Sequence, residues 1–157
     1  MKQLTLFRHA KTERDSSSGR DFDRVLTDRG KSDAARMGEE IRRLRFRFDL
    51  VLSSPAARAS DTAELAGLAV STYDQRIYEA SVADLLAIAR AVDDDVTRLI
   101  MIGHNPGFER LASALIGEDI EMPTGSLVEI ELPIEQWRTA DRGTGRLLRF
   151  LTPKTPA

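Results

Sequence analysis

The chain has 157 residues, 41% of them hydrophobic, which is enough for one substantial core and too little for two independent domains, so a single domain over residues 1–157 is expected. Its 23 Lys and Arg against 25 Asp and Glu leave a net charge of -2; no global field draws in nucleic acid or an anionic membrane, and any anion site has to be local. The absence of cysteine excludes disulfides, thiolate nucleophiles and cysteine metal sites, and agrees with a reducing compartment.

Leu4 to Phe7 is a short apolar run that stops at Arg8-His9-Ala10-Lys11. It is too short for a signal-peptide core and suits a buried strand whose carboxyl end delivers polar groups to a loop. No other stretch approaches the roughly 18 apolar residues a membrane span requires, so a cytoplasmic protein is expected. Asp15 to Arg24 reads as a loop. Thr27 is placed to cap a helix running to about Phe46, with Ala34, Met37, Ile41, Leu44 and Phe48 recurring at three- and four-residue steps. Asp49 to Ser54 reads as a second strand. Pro55 is placed to begin a helix with Arg58 in its first turn and Gly67 at its end.

Arg76 to Glu79 reads as an extended piece, followed by the capping box Ser81-x-x-Asp84 and a helix to about Val92. Arg98 to Ile102 is a third strand that ends in Gly103-His104-Asn105-Pro106-Gly107, where Pro106 suits a helix start and Gly117 a helix end. The last quarter alternates in Ser126 to Leu132 and again in Arg146 to Leu151, on either side of Pro133 and a Gly143-Thr144-Gly145 turn. These segments read as two antiparallel edge strands, and the tail after Thr152 as frayed. Strands alternating with helices predict an α/β three-layer sandwich: a mainly parallel sheet with helices on both faces and antiparallel strands at the C-terminal end. Ligands bind such sheets beyond the carboxyl ends of the strands.

The chain has two histidines, and His9 and His104 each stand where an apolar strand gives way to a polar turn. A metal needs about three or four ligands, and there is no third histidine, no cysteine and no His-x-x-x-His pair, so no metal and no other cofactor is expected. A phosphate site accounts for more residues. Arg8 at the first strand end and Arg58 at the start of the helix after the second strand can meet above the sheet, where guanidinium forks and helix N–H groups suit phosphate oxygens. Arg58 taken alone has the blander reading of a surface charge.

The ordered set Leu6-Phe7-Arg8-His9-Ala10-Lys11, Asp21-Phe22-Asp23-Arg24, Leu26-Thr27-x-x-Gly30, Asp49 to Arg58, Ile77-Tyr78-Glu79-Ala80, Gly103 to Gly107 and Pro123-Thr124-Gly125 resembles the histidine phosphatase superfamily, and within it the small SixA-type phosphohistidine phosphatases. The resemblance spans nearly the whole chain and implies a phosphoglycerate mutase-like fold. It further implies that His9 is a nucleophile forming a phosphohistidine intermediate, with Arg8, Arg58 and His104 around the transferred group. Neighbouring arginines are expected to disfavour the imidazolium and leave His9 a free lone pair. Glu79 occupies the place of an acid that protonates the leaving oxygen and later activates water, although a carboxylate there also suits helix capping or pairing with Arg76.

Ala10 follows His9 where the broad superfamily has glycine, which requires a negative φ there. Asp15 lies where many relatives place a phosphate-contacting asparagine, and its charge would repel the ligand. Thr12, Thr124 and Ser126 are candidate pocket hydroxyls that also suit exposed or turn-capping roles. Substrates implied are phosphohistidine on a partner protein or a small phosphorylated molecule. A mutase or sugar-phosphate phosphatase of the same superfamily is the second reading, set against by the short span from Glu79 to His104, and a noncatalytic phosphate-binding domain the third. Nucleic acid is not expected, since no basic stripe carries interleaved aromatics. Arg42-Arg43-Leu44-Arg45-Phe46-Arg47 reads as the cationic end of a helix, with contact to an acidic partner as the alternative.

Overall fold

A computed structural model of the chain describes residues 1–154. The strands are β1 (Lys2–Arg8), β2 (Leu50–Ser53), β3 (Thr72–Tyr73), β4 (Arg98–Gly103), β5 (Leu127–Leu132) and β6 (Arg146–Leu151), and they form one sheet in the order β3-β2-β4-β1-β5-β6. The first four in that order run parallel, while β5 and β6 are antiparallel additions. The helices are α1 (Asp28–Arg43), α2 (Ala57–Leu65), α3 (Val82–Arg90) and α4 (Gly107–Ile116). Helices α3 and α4 bury Leu85, Phe108 and Leu111 against Leu4, Leu6 and Met101 of the sheet. On the opposite face α1 and α2 bury Met37, Ile41 and Ala63 against Phe7, Ile100 and Ile102. This is the three-layer α/β sandwich expected from the pattern.

Several local signals act as read. Thr27 accepts a hydrogen bond from Gly30 N–H, and Ser81 and Asp84 make both halves of the capping box. Gly67, with φ 74°, ends α2 in a left-handed turn in which Leu68 N–H reaches Ala63 O. The same closing turn ends α1 at Arg43, earlier than the expected Phe46. There the left-handed position is filled by Arg45 (φ 58°), with Phe46 N–H on Ile41 O, and no glycine advertises the stop.

Other boundaries shift. Pro55 stands two residues ahead of α2, and Pro106 is the residue before α4, after a cis bond from Asn105. Gln75–Ile77 is a 3₁₀ turn rather than an extended piece, and Asp21–Asp23 is another within the expected loop. Strand β5 is paired on both sides, so that only β6 of the two last strands is an edge; the other edge is the unanticipated two-residue β3. At the C-terminus Pro153 is buried and its carbonyl accepts from Arg36, so the chain is packed through that point, and the rest of the expected frayed tail, 155–157, lies outside the described residues. No helix among the described residues is long and apolar enough to cross a membrane.

Candidate active site

Parallel register brings the two histidines together. Arg8 of β1 is paired with Gly103 of β4, so His9 and His104 are the first residues beyond two adjacent strands; His9 N–H donates to Gly103 O at 3.0 Å. Their ring centroids lie 5.3 Å apart, and each residue is only 7% exposed. The loop beyond His9 is held from two sides. Ala10 N–H donates to Thr62 Oγ1 at 3.0 Å, and Gly125 N–H to His9 O at 2.8 Å. Thr62 in turn donates to Arg58 O at 2.7 Å, which ties the histidine loop to the first turn of α2. Ala10 is fully buried and is not among the residues with positive φ, so the backbone condition for replacing glycine there is met.

The hydrogen bonds set the tautomer of His9. Nδ1 lies 2.7 Å from Ala10 O, and because a carbonyl only accepts, Nδ1 carries the proton and Nε2 the lone pair. Its pKa is lowered to about 4, first by burial and then, against the Ala10 hydrogen bond, by the charges of Arg58, Arg8 and Arg24. The sequence argument assigned that effect to the arginines; removal from water is the larger cause. His104 is lowered to about 3 by burial, then by His9 and Arg58. Its Nε2 is 2.8 Å from Ser54 Oγ, and its buried Nδ1 has no protein partner. Both rings are therefore neutral at pH 7.

The two arginines are held differently. Arg58, 7% exposed, is gripped by one residue: Nη1 donates to Asp21 O at 2.8 Å and Nη2 to Asp21 Oδ2 at 2.9 Å. Tyr78 Oη donates to the same Oδ2 at 2.6 Å, and the Arg58 guanidinium lies 5.8 Å from the Tyr78 ring. These contacts hold the Asp21 carboxyl far below its usual range, chiefly through Tyr78 and then Arg24 and Arg58 against the opposing effect of burial. The phenol is pushed up to about 12 by burial and then by Asp21 and Glu79. Arg8 donates through Nη1 to Met122 O at 2.8 Å, while its buried Nε has no protein partner. Burial lowers the Arg8 pKa, with Glu109 opposing and Arg58 assisting.

Arg58, Glu79, His104 and Asp21 line one cleft of about 430 Å³; Arg8 lines a neighbouring one that shares Asn105 and Pro106 with it. Glu79 stands exposed on the rim with φ 56°, an uncommon conformation for a side chain of its size. Both alternative duties for it are filled by others: Arg76 is paired with Asp74, and α3 is capped by Ser81 and Asp84. Among the hydroxyl candidates, Thr12 accepts from Arg24 Nη2 at 2.6 Å and Ser126 is buried, whereas Thr124 lines a separate pocket. Asp15 is exposed. Asp21, Ser54 and Thr62 are site residues that the sequence reading did not single out, although Asp21 and Ser54 lie inside its motifs. No group of three or more His, Asp or Glu placed to hold a metal occurs among the described residues.

Two neutral histidines where parallel strands end, beside Arg8 and Arg58, are an arrangement suited to a dianionic phosphoryl group, and the profile of the histidine phosphatase superfamily (branch 1) matches residues 4–88. The chain belongs to this superfamily. Its fold is that of SixA structures. It superposes with a TM-score of 0.82 on the candidate phosphohistidine phosphatase SixA of Agrobacterium tumefaciens, 30% identical, covering 97% of this chain and 98% of the other. The candidate SixA of Nakamurella multipartitia gives 0.87 at 24% identity, with 98% and 97% covered. An uncharacterised protein of Mycobacterium tuberculosis is 30% identical over 94% of this chain and 99% of its own length. A chloroplastic protein of Arabidopsis thaliana is 29% identical over 88% and 70%. The superfamily match ends before His104, whose place in the site therefore rests on the strand register and ring geometry given above. As a member of the superfamily the chain is a histidine phosphatase.

Proposed function

We propose that His9 is the nucleophile and that the enzyme removes phosphoryl groups from phosphohistidine in a partner protein. Nε2 of His9 attacks phosphorus, an N–P bond forms as the bond to the leaving nitrogen or oxygen breaks, and a phosphohistidine enzyme intermediate results. Water then attacks the same phosphorus, and inorganic phosphate and free His9 are regenerated. The observation that carries this reading is the fixed tautomer of a neutral imidazole: its lone pair is available without prior proton removal, between two guanidinium groups that offset charge on the transferring oxygens.

Arg8 and Arg58 serve as the phosphate clamp and His104 as a third contact to the phosphoryl oxygens. A phosphate dianion entering the pocket favours the charged form of His104, in which both ring nitrogens donate. Glu79, on the rim of the cleft, protonates the oxygen of an ester leaving group and activates water. A nitrogen leaving group depends less on it. The preference for a protein-borne phosphoryl group is supported by the span from Glu79 to His104, which holds only α3 and β4 and adds no cap over the cleft. It is supported also by the description of the Agrobacterium relative as a candidate phosphohistidine phosphatase. A phosphoglycerate mutase or sugar-phosphate phosphatase needs walls around its organic group that this cleft lacks. The cysteine-free composition suits work in the cytoplasm.

The test is brief incubation with a labelled phosphodonor followed by denaturation. Acid-labile label on wild type and none on His9→Ala is expected; full activity of His9→Ala would overturn the assignment. Glu79→Gln is expected to lose turnover of alkyl phosphate esters while retaining that of phosphohistidine.

A further inference from the structure

Three clefts adjoin the segments that carry His9 and His104, and their charges differ. The one with Arg58 and Arg110 also holds Asp21 and Glu79, and the one with Arg8 holds Glu109 and Glu121. The third, of about 400 Å³, has Lys11, Arg29 and Lys154 against a single carboxylate, Asp33. It is a cationic spot on a chain whose net charge is -2. Two of its cations, Lys11 and Lys154, have exposed ammonium groups with no hydrogen bond or ion pair among the described residues. Arg29 reaches Asp33 only at 3.5 Å, with 62% of its side chain exposed.

This pocket is joined to the reaction centre by the chain itself. Lys11 is two residues beyond His9. Thr124 on its wall precedes Gly125, the residue that holds His9 O, and Pro123 lines both this pocket and the cleft of Arg8. Its remaining wall is Pro123, Thr124, Thr152 and Pro153, the last buried against Gly125. Proline rings beside the two lysines reduce solvent screening and strengthen the pull on an anion.

We propose that the pocket of Lys11, Arg29 and Lys154 is a docking subsite for acidic side chains of the protein that carries the phosphohistidine. This rests on the substrate reading given above and adds a direction to it: the partner's carboxylates lie on the side of the cleft where the chain continues from His9 to Lys11. A small phosphate ester has no group to place there.

The experiment uses the full chain and three probes: free phosphohistidine, a histidine-phosphorylated peptide with Asp and Glu on both flanks, and the same peptide with Asn and Gln instead. Wild type is expected to turn over the acidic peptide with kcat/KM roughly fivefold above the neutral one at low salt, as two or three exposed ion pairs allow. The advantage is expected to shrink as salt approaches about 0.3 M. In the double variant Lys11→Met, Lys154→Met the two peptides are expected to be equal, with free phosphohistidine turned over as by wild type, which also shows that the variant is folded. Equal turnover of the peptides by wild type, or an advantage that survives the double variant, overturns the docking subsite and leaves the phosphatase reading intact. Failure of wild type to hydrolyse any of the three overturns the substrate reading itself, and the subsite with it.

Discussion

Replacing His9 by Gln is predicted to make the protein more resistant to acid even as it abolishes activity. The folded chain holds His9 near pKa 4 and His104 near 3, against 6.5 for an unstrained histidine. Between these limits the unfolded state binds protons that the folded state refuses, so stability rises with pH and is withdrawn as pH falls below about 6.5. At pH 5 both rings are still neutral when folded and almost fully protonated when unfolded. Each therefore removes about 2 kcal/mol relative to pH 8. Because neither ring is charged in the folded state at pH 5, their mutual repulsion does not enter, and the two losses add to about 4 kcal/mol.

The assay is urea unfolding at pH 8 and pH 5, followed by far-ultraviolet circular dichroism, on wild type, His9→Gln, His104→Gln and the double variant. The drop from pH 8 to pH 5 is expected to be about 2 kcal/mol smaller in each single variant and about 4 kcal/mol smaller in the double. Carboxylates titrate alike in all four proteins and cancel in the comparison. Parallel drops in wild type and His9→Gln would refute the reasoning, because they would mean that His9 is free to protonate when folded and that its lone pair is not preserved by burial.

Asp21→Ala removes the carboxylate that grips Arg58 and accepts from Tyr78; kcat/KM is predicted to fall about tenfold or more, the loss of a charge-assisted contact, while Tyr78→Phe, which leaves the grip in place, falls less in the same steady-state assay. Thr62→Val leaves the buried Ala10 N–H without its acceptor, so thermal unfolding is expected to show a loss of about 1–3 kcal/mol. Gly107→Ala would bring a Cβ to 2.4 Å from Ala80 O, pushing α4 from the cleft rim; a lower melting temperature and a raised KM are expected. Glu79→Gly relieves a positive φ and is predicted to keep or slightly raise the melting temperature while ester turnover falls.

The two candidate histidines were legible because their signal is local: a short apolar run, then polar residues, twice. A parallel sheet turns that into proximity, since register places Arg8 beside Gly103. Only the partner strand was not given by the pattern. Asp21 shows the opposite case. It lies 37 residues from Arg58 and 57 from Tyr78, in a Ser-rich loop where an acidic residue has no period to betray a purpose. Strand β5 misled for a physical reason as well. Glu129 and Glu131 gave it the alternation of an edge strand, yet Glu129 is only 7% exposed, between β1 and β6. Trp137, fully buried, was equally silent, because what holds it is Val96 O at 2.8 Å, 41 residues away.

What the sequence could not contain is the division of labour around Arg58. A guanidinium needs an opposing charge to be held in place, and the same charge competes with the phosphate that Arg58 is proposed to bind. Asp21 reconciles the two by taking Nη1 with its backbone carbonyl and Nη2 with its carboxylate, and Tyr78 draws part of that carboxylate's hydrogen-bonding capacity away from the arginine. The arrangement holds the guanidinium plane while leaving its Nε–H edge outside the grip. Asp21→Asn, with its oxygen in the place of Oδ2, keeps the backbone carbonyl for Nη1 and one oxygen for Nη2 and Tyr78, but removes the competing charge and the acceptor of Arg24. It is therefore expected to bind inorganic phosphate more tightly than wild type while turning over substrate more slowly, a split between inhibition constant and kcat that a merely structural role for Asp21 would not produce.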